Sequence, residues 1–550
     1  MAFKLSKWDL TVDVVAVGSG LGGLTAAIVA HDAGQRVAVL EKAPKLGGVS
    51  AYSGGEVFLP DNHLMRARGL SDSREAGLAY LRFLAAGYAD PALTELLVDT
   101  GLAAVEYLEE RAGVRWKIIE GFPDYHYPRA PGTAAAGRYL EVELFDGATL
   151  GEWQKKTYLS PHMPNGITHD ELFAWGGFVN VLRWDFALMA KRYKQDRRGF
   201  GPGMMAYLVK AAMIDRAIPA HVSTPAREIL VEDGAVVGVR AEREGKDFFV
   251  RARKGVVLAA GGYDWHPELA RYFEHLPEWQ SMVPPSVAGD AWVMASELGA
   301  AIAAVPAQNL GIFFGYQVPG EQQEGKPLWR GSWEGGFPHA IWVNRAGKRF
   351  ADESFYRDYL PKVRAWDGVA QDQPNFPPYL VFDGNFREKY PLGTFLPGQD
   401  LPEELVARAD TLRDLAAKLG IDGAGLEATV ERFNRFAVEG VDPDFARGTY
   451  PWAAMMTGDR SRPNPNLGPL DKPPFYGLRL RVAGVGVNAA GLKTNAQAQV
   501  MHVRGRPIPG LYAAGNSAAP LDTGAGYQSG LANLRGIVGG YLAGNHAAQR

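Results

Sequence analysis

Cysteine is absent from all 550 residues of the sequence. Its absence excludes disulfide bonds, thiolate metal sites and a CxxC redox pair. Long apolar runs are also missing, because glycine or charged residues interrupt every apolar stretch well short of the ~18 residues that a membrane span needs. Residues 1–11 lack the apolar core and small-residue cleavage site of a signal peptide. We therefore expect a cytoplasmic protein without a membrane span.

A large excess of charge of either sign is missing too. The 58 basic and 61 acidic side chains give a net charge of −3, so no nucleic-acid partner is indicated. We find no metal-ligand spacing, no serine-nucleophile elbow and no internal repeat, and we predict no metal site. With 47% hydrophobic residues, the chain is long enough to bury the core of about two or three domains.

The clearest local pattern lies near the start of the chain. Residues 12–17 are nearly all apolar, as in a strand buried on both faces of a parallel sheet. They run directly into the glycine-rich stretch 18–23, which a helix-forming stretch, 24–30, follows. A second apolar strand, 37–40, ends at Glu41. Strand, GxGxxG turn, helix, strand and acid in one compact unit predict a dinucleotide-binding fold.

Each residue type in this unit has a physical role. Gly18 permits the tight turn, Gly20 lets the backbone approach a pyrophosphate, and Gly23 lets helix and strand pack closely. The pyrophosphate is then placed at the helix N-terminus, where free N–H groups favour negative charge. Glu41 stands about 20 residues further on, where an acid accepts hydrogen bonds from the adenosine ribose.

Three further stretches indicate that the dinucleotide is FAD. Residues 42–55 hold two Gly-Gly pairs soon after the ribose acid, and residues 256–262 and 510–516 are apolar strands that end in glycine turns. This combination resembles the flavoproteins of the fumarate reductase and 3-ketosteroid dehydrogenase superfamily. The resemblance implies FAD contacts from Gly18, Gly20, Gly22, Gly23, Glu41, Lys42, Gly47, Gly48, Ser53, Gly54, Gly55, Ala260, Gly261, Gly515 and Asn516.

The resemblance also implies that FAD is bound without a covalent link. Superfamily members with a histidyl-linked FAD carry a histidine just after the first Gly-Gly pair. Here residues 49–51 read Val-Ser-Ala, and a cysteinyl link is excluded because the chain has no cysteine.

Within this superfamily the chain most resembles the 3-ketosteroid dehydrogenases. The fragments that carry the resemblance are residues 53–63, 123–126, 130–132, 260–265, 343–350, 352–354 and 464–476. Such enzymes desaturate a cyclic ketone by removing a proton from the α-carbon and a hydride from the β-carbon, which goes to flavin N5. The α-proton becomes acidic only if donors in a dry pocket stabilise the charge that develops on the carbonyl oxygen. A base must also reach that proton.

The family places tyrosines in these roles, and matching positions exist here. The resemblance implies that the hydroxyl of Tyr527 and the N–H of Gly530 hold the carbonyl oxygen. Tyr356 is the candidate base, and Tyr125 is expected to tune it by hydrogen bonding. The segment after Tyr527 departs from the usual pattern of the 1,2-desaturating members, because Ser529 gives a Tyr-x-Ser arrangement closer to that of related 4,5-desaturating enzymes. Ser529 is expected to support Tyr527 or to bind the carbonyl, and the regiochemistry stays open.

The nearest alternative is a fumarate-type ene-reductase. Arg357 matches the position of the acid arginine in those enzymes, which grip substrate carboxylates with histidines and a C-terminal arginine. Residues 308–310 and 485–488 contain no histidine, and Tyr527 stands where that arginine is expected. A dicarboxylate would therefore lack its counter-charges.

A second alternative keeps the chemistry and changes the size of the ring. Aromatic residues are frequent around the segment 171–193: Trp116, Phe122, Phe173, Trp175, Phe178, Trp184 and Phe186. If they face the pocket, they restrict it to a monocyclic ketone such as cyclohexanone. If they only pack a helix against the core, a steroid fits. Tyr193 becomes a further candidate proton acceptor if this segment covers the flavin. A third alternative is a non-catalytic flavoprotein.

We therefore predict an α/β fold with a discontinuous Rossmann-like FAD-binding domain over residues 1–274 and 480–550. An inserted α+β substrate-binding domain, residues 275–479, is expected to carry much of the catalytic site. The small-molecule substrate is expected to be a cyclic ketone. No second dinucleotide motif is present, so we expect electrons to leave to an acceptor such as a quinone, a dye-like molecule or oxygen.

Overall fold

The computed structural model describes residues 7–307 and 311–550. The strands are β1 (Leu10–Val17), β2 (Val37–Leu40), β3 (Val57–Phe58), β4 (Trp116–Ile118), β5 (Tyr139–Val142), β6 (Phe145–Asp146), β7 (Arg197–Arg198), β8 (Ala220–His221), β9 (Ala226–Glu232), β10 (Ala235–Arg243), β11 (Lys246–Leu258), β12 (Gln280–Ser281), β13 (Ile302–Ala304), β14 (Ile312–Gln323), β15 (Lys326–Gly331), β16 (Ala340–Val343), β17 (Tyr379–Phe382), β18 (Ala407–Ala409), β19 (Phe475–Arg479), β20 (Arg481–Gly484), β21 (Ala490–Leu492), β22 (Gln499–Met501) and β23 (Pro507–Ala513).

The helices alternate with these strands in the first part of the chain and dominate several later stretches. They are α1 (Leu21–Asp32), α2 (His63–Ala67), α3 (Arg74–Ala85), α4 (Pro91–Ala112), α5 (His169–Ala174), α6 (Phe186–Lys194), α7 (Phe200–Val209), α8 (Pro267–Glu274), α9 (Asp290–Ser296), α10 (Tyr356–Val363), α11 (Gly384–Lys389), α12 (Leu412–Leu419), α13 (Gly423–Glu439), α14 (Pro451–Thr457) and α15 (Leu531–Gln549).

The largest sheet is the predicted dinucleotide-binding sheet. Its strands follow the order β22-β23-β11-β1-β2-β8, and β9 and β10 join it beside β11. The pairs β1–β11, β1–β2, β2–β8 and β11–β23 are parallel. β1 lies between two neighbours and its residues 14–16 are fully buried, which explains why this strand is apolar without alternation. The predicted α/β fold is confirmed.

The long connection between β2 and β8 packs into the same hydrophobic core as β1, α1 and α15. It contains the three-stranded sheet β3-β5-β4 and the helices α2 to α7. Two four-stranded sheets, β12-β20-β14-β15 and β16-β17-β19-β18, lie between β11 and the end of β20. The predicted second boundary at residue 480 assigns β20 to the FAD-binding part, whereas the structure pairs β20 with β12 and β14. Only Leu480 separates β19 from β20, so the chain passes between these two sheets before it returns to the main one.

Two properties of the described ranges bear on the class of protein. Among residues 7–307 and 311–550, no helix combines the length and the apolar character that crossing a membrane requires. The same residues contain no group of three or more histidine, aspartate or glutamate side chains arranged to hold a metal ion.

Candidate active site

A deep cavity opens beside the carboxyl ends of β1, β2, β11 and β23. It is lined by residues from the predicted FAD-binding turns and also by the three tyrosines that the sequence indicates, Tyr125, Tyr356 and Tyr527. In an open parallel sheet, ligands bind at this carboxyl edge, because the loops that follow the strands meet there. The cavity therefore joins a nucleotide-binding region to a candidate catalytic region.

Glu41 organises the nucleotide-binding region. Its Oε2 accepts hydrogen bonds from the hydroxyl and the N–H of Ser19 at 2.6 and 2.9 Å, and its Oε1 accepts one from the N–H of Ala43 at 2.8 Å. Burial raises the pKa of Glu41, while these hydrogen bonds lower it. A carboxylate offers about four acceptor positions, so roughly one remains for a ribose hydroxyl at the cavity.

The N-terminus of α1 fits a pyrophosphate. Gly20 is its N-cap and offers no capping side chain, the N–H of Leu21 donates to the Ser50 hydroxyl at 3.2 Å, and the first turn contains no acidic residue. A Cβ placed at Gly20 would meet nothing nearer than the Ser50 hydroxyl oxygen at 3.7 Å, so the space in front of the helix is open. A helix start without acidic residues and with this clearance attracts and admits an anion. The residues of this region therefore fit a dinucleotide such as FAD.

The structure brings twelve of the fifteen predicted FAD-contacting residues to the cavity. They are Gly18, Gly20, Gly22, Glu41, Lys42, Gly48, Ser53, Gly54, Ala260, Gly261, Gly515 and Asn516. Gly23, Gly47 and Gly55 do not line it. A Cβ at Gly23 would lie 2.0 Å from the carbonyl oxygen of Gly18, and one at Gly55 would lie 2.3 Å from the backbone of Phe200. The N–H of Gly47 donates to the Ser19 hydroxyl at 3.1 Å. These three glycines therefore support the backbone turns and do not face the cavity.

Tyr125 and Tyr356 form a hydrogen-bonded pair in the catalytic region. Their hydroxyl groups share a hydrogen bond, and their ring centroids lie 5.3 Å apart. Tyr356 is the first residue of α10, and Tyr125 stands in the loop before β5. Both side chains are buried, with only 6% and 2% of the surfaces of Tyr356 and Tyr125 exposed. The predicted partnership of these two residues therefore exists in the structure.

Gln528 fixes the position of Tyr125. Its Oε1 accepts the backbone N–H of Tyr125 at 3.1 Å, and its side chain also bonds to the hydroxyl groups of Tyr80 and Tyr139. Gln528 itself is completely buried. The residue between Tyr527 and Ser529 thus has a structural role, which the sequence did not reveal: it holds the tyrosine loop against the C-terminal segment.

Tyr527, Ser529 and Gly530 line the cavity together. Gly530 adopts a φ of +81° as the N-cap of α15, and a Cβ there would lie 2.5 Å from the N atom of Phe58. Only glycine accommodates that backbone angle and that contact. α15 spans 19 residues, has no side-chain cap and has no acidic residue in its first turn. The positive end of its dipole therefore adds to the donors beside Tyr527.

Arg357 supplies a positive charge between the tyrosines. Its guanidinium carbon lies 4.7 Å from the centroid of the Tyr356 ring and 5.3 Å from that of the Tyr527 ring. The side chain is buried, with 6% exposed. A cation over the face of an aromatic ring is attracted to it, and it stabilises a negative charge on the phenol oxygen. Sequence reasoning used this residue only for the reductase alternative and missed its contact with the tyrosines.

Burial is the main influence on the pKa values of the tyrosines, and the charge of Arg357 opposes it. Burial raises the pKa of Tyr125 to about 12, while hydrogen bonds with Ser529 and Tyr356 and the charge of Arg357 hold it down. Burial also raises the pKa of Tyr356 well above its ordinary value, and the charge of Arg357 again opposes the rise. Burial therefore disfavours the phenolate form of both tyrosines, and the cation of Arg357 counteracts this effect at each of them. Two phenols in one hydrogen bond titrate as a unit.

Aromatic side chains close the cavity around the tyrosines. The lining includes Phe122, Phe178, Phe313, Trp333 and Trp452. Phe178 stacks on Trp333 with centroids 6.1 Å apart and planes within 6°, and Trp333 packs edge-on against Phe313 at 4.7 Å. Of the seven aromatic residues that the sequence singles out, only Phe122 and Phe178 are among the lining residues.

Tyr193 does not reach the cavity. Its side chain is 63% exposed, and α6, which carries it, has no buried residue. The segment 171–193 contributes Leu172 and Phe178 to the lining before α6 turns outward. Tyr193 was a candidate proton acceptor only if its segment covered the flavin, and at this residue the segment does not. We therefore remove Tyr193 from the proposed site.

Two ionisable residues in the lining, Glu56 and His169, escaped the sequence analysis. His169 lies between two carboxylates, with Nε2 at 3.1 Å from Oε1 of Glu56 and Nδ1 at 2.7 Å from Oε2 of Glu141. Burial disfavours a charged imidazole, but the two carboxylates raise the pKa of His169 to about 10. No sequence signal links the three residues, because each stands in a different element.

Fumarate-type reductases bind substrate carboxylates with histidines, and two stretches of this chain correspond to those positions. The one that the structure describes, residues 485–488, contains no histidine. Val485 and Val487 line the cavity with apolar side chains. The other stretch, residues 308–310, lies outside the described residues. His162 does line the cavity, but burial lowers its pKa to about 4, so it is neutral and provides no counter-charge.

Comparison with known proteins shows the family of this chain. The FAD binding domain family matches residues 13–533. The 4-oxocyclohexanecarboxylate 2-dehydrogenase of Sinomonas cyclohexanicum is 37% identical over 528 residues, which cover 92% of this chain and 88% of the relative. The 3-oxosteroid 1-dehydrogenase of Mycobacterium tuberculosis strain H37Rv is 31% identical over 552 residues, which cover 92% of this chain and 93% of the relative.

A solved structure shows the same architecture throughout. The 3-ketosteroid delta1-dehydrogenase from Sterolibacterium denitrificans, in complex with 1,4-androstadiene-3,17-dione, aligns with a TM-score of 0.88 and 31% identity. The alignment covers 98% of this chain and 99% of that structure. The predictions of FAD, of an enzyme and of this family are confirmed, and the non-catalytic alternative is set aside. The chain belongs to the 3-ketosteroid dehydrogenase family of FAD-binding flavoproteins and is an FAD-dependent oxidoreductase.

Proposed function

We propose that this enzyme introduces an α,β double bond into a monocyclic ketone of about the size of cyclohexanone. The observation that carries the proposal is the convergence of Tyr125, Tyr356 and Tyr527 in one aromatic-walled cavity beside the FAD-binding turns. Such a site provides neutral donors for a carbonyl oxygen and a phenol pair for an α-proton. FAD would supply the acceptor for the hydride that leaves the β-carbon, and the residues around Gly20 and Glu41 would hold the cofactor.

The carbonyl oxygen is held by Tyr527 and Gly530. The Tyr527 hydroxyl stays protonated, because burial raises its pKa. The N–H of Gly530 and the positive end of α15 add two further favourable interactions with developing negative charge. Donors fixed before the reaction need no reorganisation as the charge appears, and this makes the adjacent C–H acidic.

The tyrosine pair removes the α-proton. Tyr356 takes the proton from the substrate while its own hydroxyl proton passes to Tyr125 through their hydrogen bond. This transfer requires that the pair has already lost one proton and so carries a negative charge, which burial opposes and the cation of Arg357 favours. Arg357 stabilises that charge from its position over the Tyr356 ring. The aromatic walls keep water away and so strengthen each of these interactions.

The aromatic wall favours a single ring. On one side of the cavity Phe178 stacks on Trp333, which packs edge-on against Phe313, and Trp452 packs on Tyr125 at 4.4 Å. A fused four-ring substrate would have to displace part of this stack. Similarity to the 4-oxocyclohexanecarboxylate dehydrogenase supports the same reading, since that relative is named for a substrate with one ring. A steroid is the second candidate, supported by the full-length likeness to the steroid-bound structure.

The charges of the lining favour a neutral ketone over an anionic one. Lys42 and two histidines are the basic side chains in the part of the lining that the structure describes. Lys42 is paired with Asp290 at 2.7 Å, His162 is neutral, and His169 is neutralised by its two carboxylates. An unpaired substrate carboxylate would therefore be costly to bury.

We further propose that a quinone reoxidises the enzyme, as the sequence offers no second dinucleotide motif.

Anaerobic bleaching of the purified holoenzyme tests this proposal. We expect cyclohexanone to bleach the flavin absorbance rapidly and to yield cyclohex-2-enone in one equivalent. Androst-4-ene-3,17-dione and 4-oxocyclohexanecarboxylate are the comparison substrates, and we expect both to react much more slowly. Fast bleaching by the steroid alone would overturn the size assignment, and fast bleaching by the carboxylate alone would overturn the charge assignment. No bleaching by any ketone would overturn the proposed reaction.

A further inference from the structure

A chain of buried charged side chains leads from the cavity to the surface. Glu56 lines the cavity, and His169 bridges it to Glu141. Nζ of Lys117 lies 3.0 Å from Oε1 of Glu141 and 2.6 Å from Oδ2 of Asp170. Glu141 is fully buried, whereas the side chains of Lys117 and Asp170 are 25% and 29% exposed. We name these five residues the Glu56–Asp170 chain.

We propose that the Glu56–Asp170 chain is the route by which the proton taken from the ketone leaves the closed site. The inference rests on the proposed function, because only a reaction that abstracts a proton at the tyrosine pair needs such a route. Each turnover releases one proton there, and both tyrosines are buried. A proton that remained on the pair would block the next abstraction.

The inner end of the route lies beside the tyrosine pair. Ser529 lowers the pKa of Tyr125, and Ser529, Tyr125 and Glu56 all line the same cavity. The side-chain amide of Asn533 donates to the backbone oxygen of Glu56 at 2.7 Å, and Gly530 packs against the backbone of Phe58. The Ser529 turn and the strand that follows Glu56 are therefore in direct contact. The charge of Glu56 also acts on Tyr125 of the pair and on Tyr527, because it raises the pKa of each of these two phenols.

The middle of the route has the chemistry of a relay. His169 presents one ring nitrogen to each of two carboxylates, so a proton that reaches Glu56 can be matched by one that leaves His169 toward Glu141. One proton enters at Glu56 and one leaves near Lys117 and Asp170, so the net charge of the chain returns to its starting value. Both ring nitrogens of the protonated His169 are donors, so the ring can release a proton to one carboxylate and take one from the other.

A purely structural ion-pair cluster would hold the cavity wall but would not affect the timing of proton release. Stopped-flow mixing of the anaerobic holoenzyme with cyclohexanone in weak buffer separates the two cases. A pH-indicator dye reports proton release, and flavin absorbance reports oxidation of the ketone. The variants are Glu56→Gln and His169→Gln, which keep similar shape. The control is Glu334→Gln, which removes a buried carboxyl group that bonds to Tyr316 and Gly393 outside the route.

In the wild type and in Glu334→Gln, we expect protons to appear in step with flavin bleaching. In Glu56→Gln and His169→Gln, we expect the first bleaching event to persist and proton release to lag behind it by at least about tenfold. Release in step with bleaching in both route variants would overturn the relay and leave the proposed reaction intact. If no ketone bleaches the flavin of the wild-type enzyme, that result would instead count against the proposed reaction. If one variant does not fold, the other still decides the question.

Discussion

The hydroxyl of Tyr125 is hydrogen-bonded to that of Tyr356, although 231 residues separate the two along the chain. Trp452 packs on both rings, at 4.4 Å from the first and 5.3 Å from the second. The indole thus fixes the relative orientation of the phenols. A base assembled from two segments depends on the packing of the cavity wall as much as on the tyrosines themselves.

Replacing Tyr356 by phenylalanine should abolish proton abstraction. The ring and its packing remain, but no oxygen faces the substrate, and a lost general base typically costs ~10²–10⁴ in rate. We expect FAD to stay bound and anaerobic bleaching by cyclohexanone to slow by that factor. Tyr390→Phe, which removes a buried hydroxyl bonded to Asp459, is the matched control and should bleach at the wild-type rate. Unchanged bleaching in Tyr356→Phe would exclude the tyrosine pair as the base.

Replacing Tyr527 by phenylalanine should remove one of the donors to the carbonyl oxygen. The loss of one such donor costs ~10²–10³ in turnover in comparable sites. We expect turnover with cyclohexanone and an artificial acceptor to fall by this amount while the flavin spectrum is retained. Full activity would show that the carbonyl oxygen is held elsewhere.

The pH dependence should reveal the role of Arg357. The pair must be deprotonated to act, so kcat/KM rises as pH rises through the pKa of the pair. The cation lowers the pKa of both Tyr125 and Tyr356. Arg357→Gln should therefore move the rising limb to higher pH by about one unit or more. Arg357→Lys keeps the charge and should restore much of the wild-type pH profile. If Arg357→Gln and Arg357→Lys have the same pH profile as each other, the charge of Arg357 does not have this role.

Adding a methyl group at Gly20 should weaken FAD binding without disturbing the fold. The protein itself leaves space there, since the nearest atom to a new Cβ is 3.7 Å away. That space is the proposed place of the pyrophosphate. We expect the Kd for FAD to rise at least about tenfold, which corresponds to about 1.4 kcal/mol, by fluorescence titration of the apoprotein. Gly368→Ala, where a Cβ also meets nothing within 4 Å, should leave the Kd unchanged.

Removing the ring of Phe178 should widen the cavity. The stacked partner Trp333 then loses its support, and the freed volume lies next to the tyrosines. We expect Phe178→Ala to bleach faster with androst-4-ene-3,17-dione and more slowly with cyclohexanone than the wild type. Phe186→Ala changes an exposed aromatic on α6 and serves as the control. A variant whose preference between the two ketones is unchanged would show that this stack does not select for ring size.

Local sequence was sufficient for the nucleotide-binding half of the site. The turn after β1, the acid after β2 and the glycine turns after β11 and β23 each lie within one short unit, where backbone geometry restricts the residue types. Their meeting at one sheet edge follows from parallel pairing. The identities of the three tyrosines also came from sequence, but only through the family resemblance. Tyr193 could not be judged in this way, because its segment turns outward at α6.

The sequence by itself determined the fold class, the cofactor and the residue types of the chemistry, because these depend on patterns that extend over a few tens of residues. Only the tertiary structure decided that Arg357 lies over the rings of Tyr356 and Tyr527, and that His169 joins Glu56 to Glu141. These contacts depend on packing between different elements, some more than 100 residues apart in the chain. No local propensity encodes such distances, since they are fixed only when the buried core closes around them.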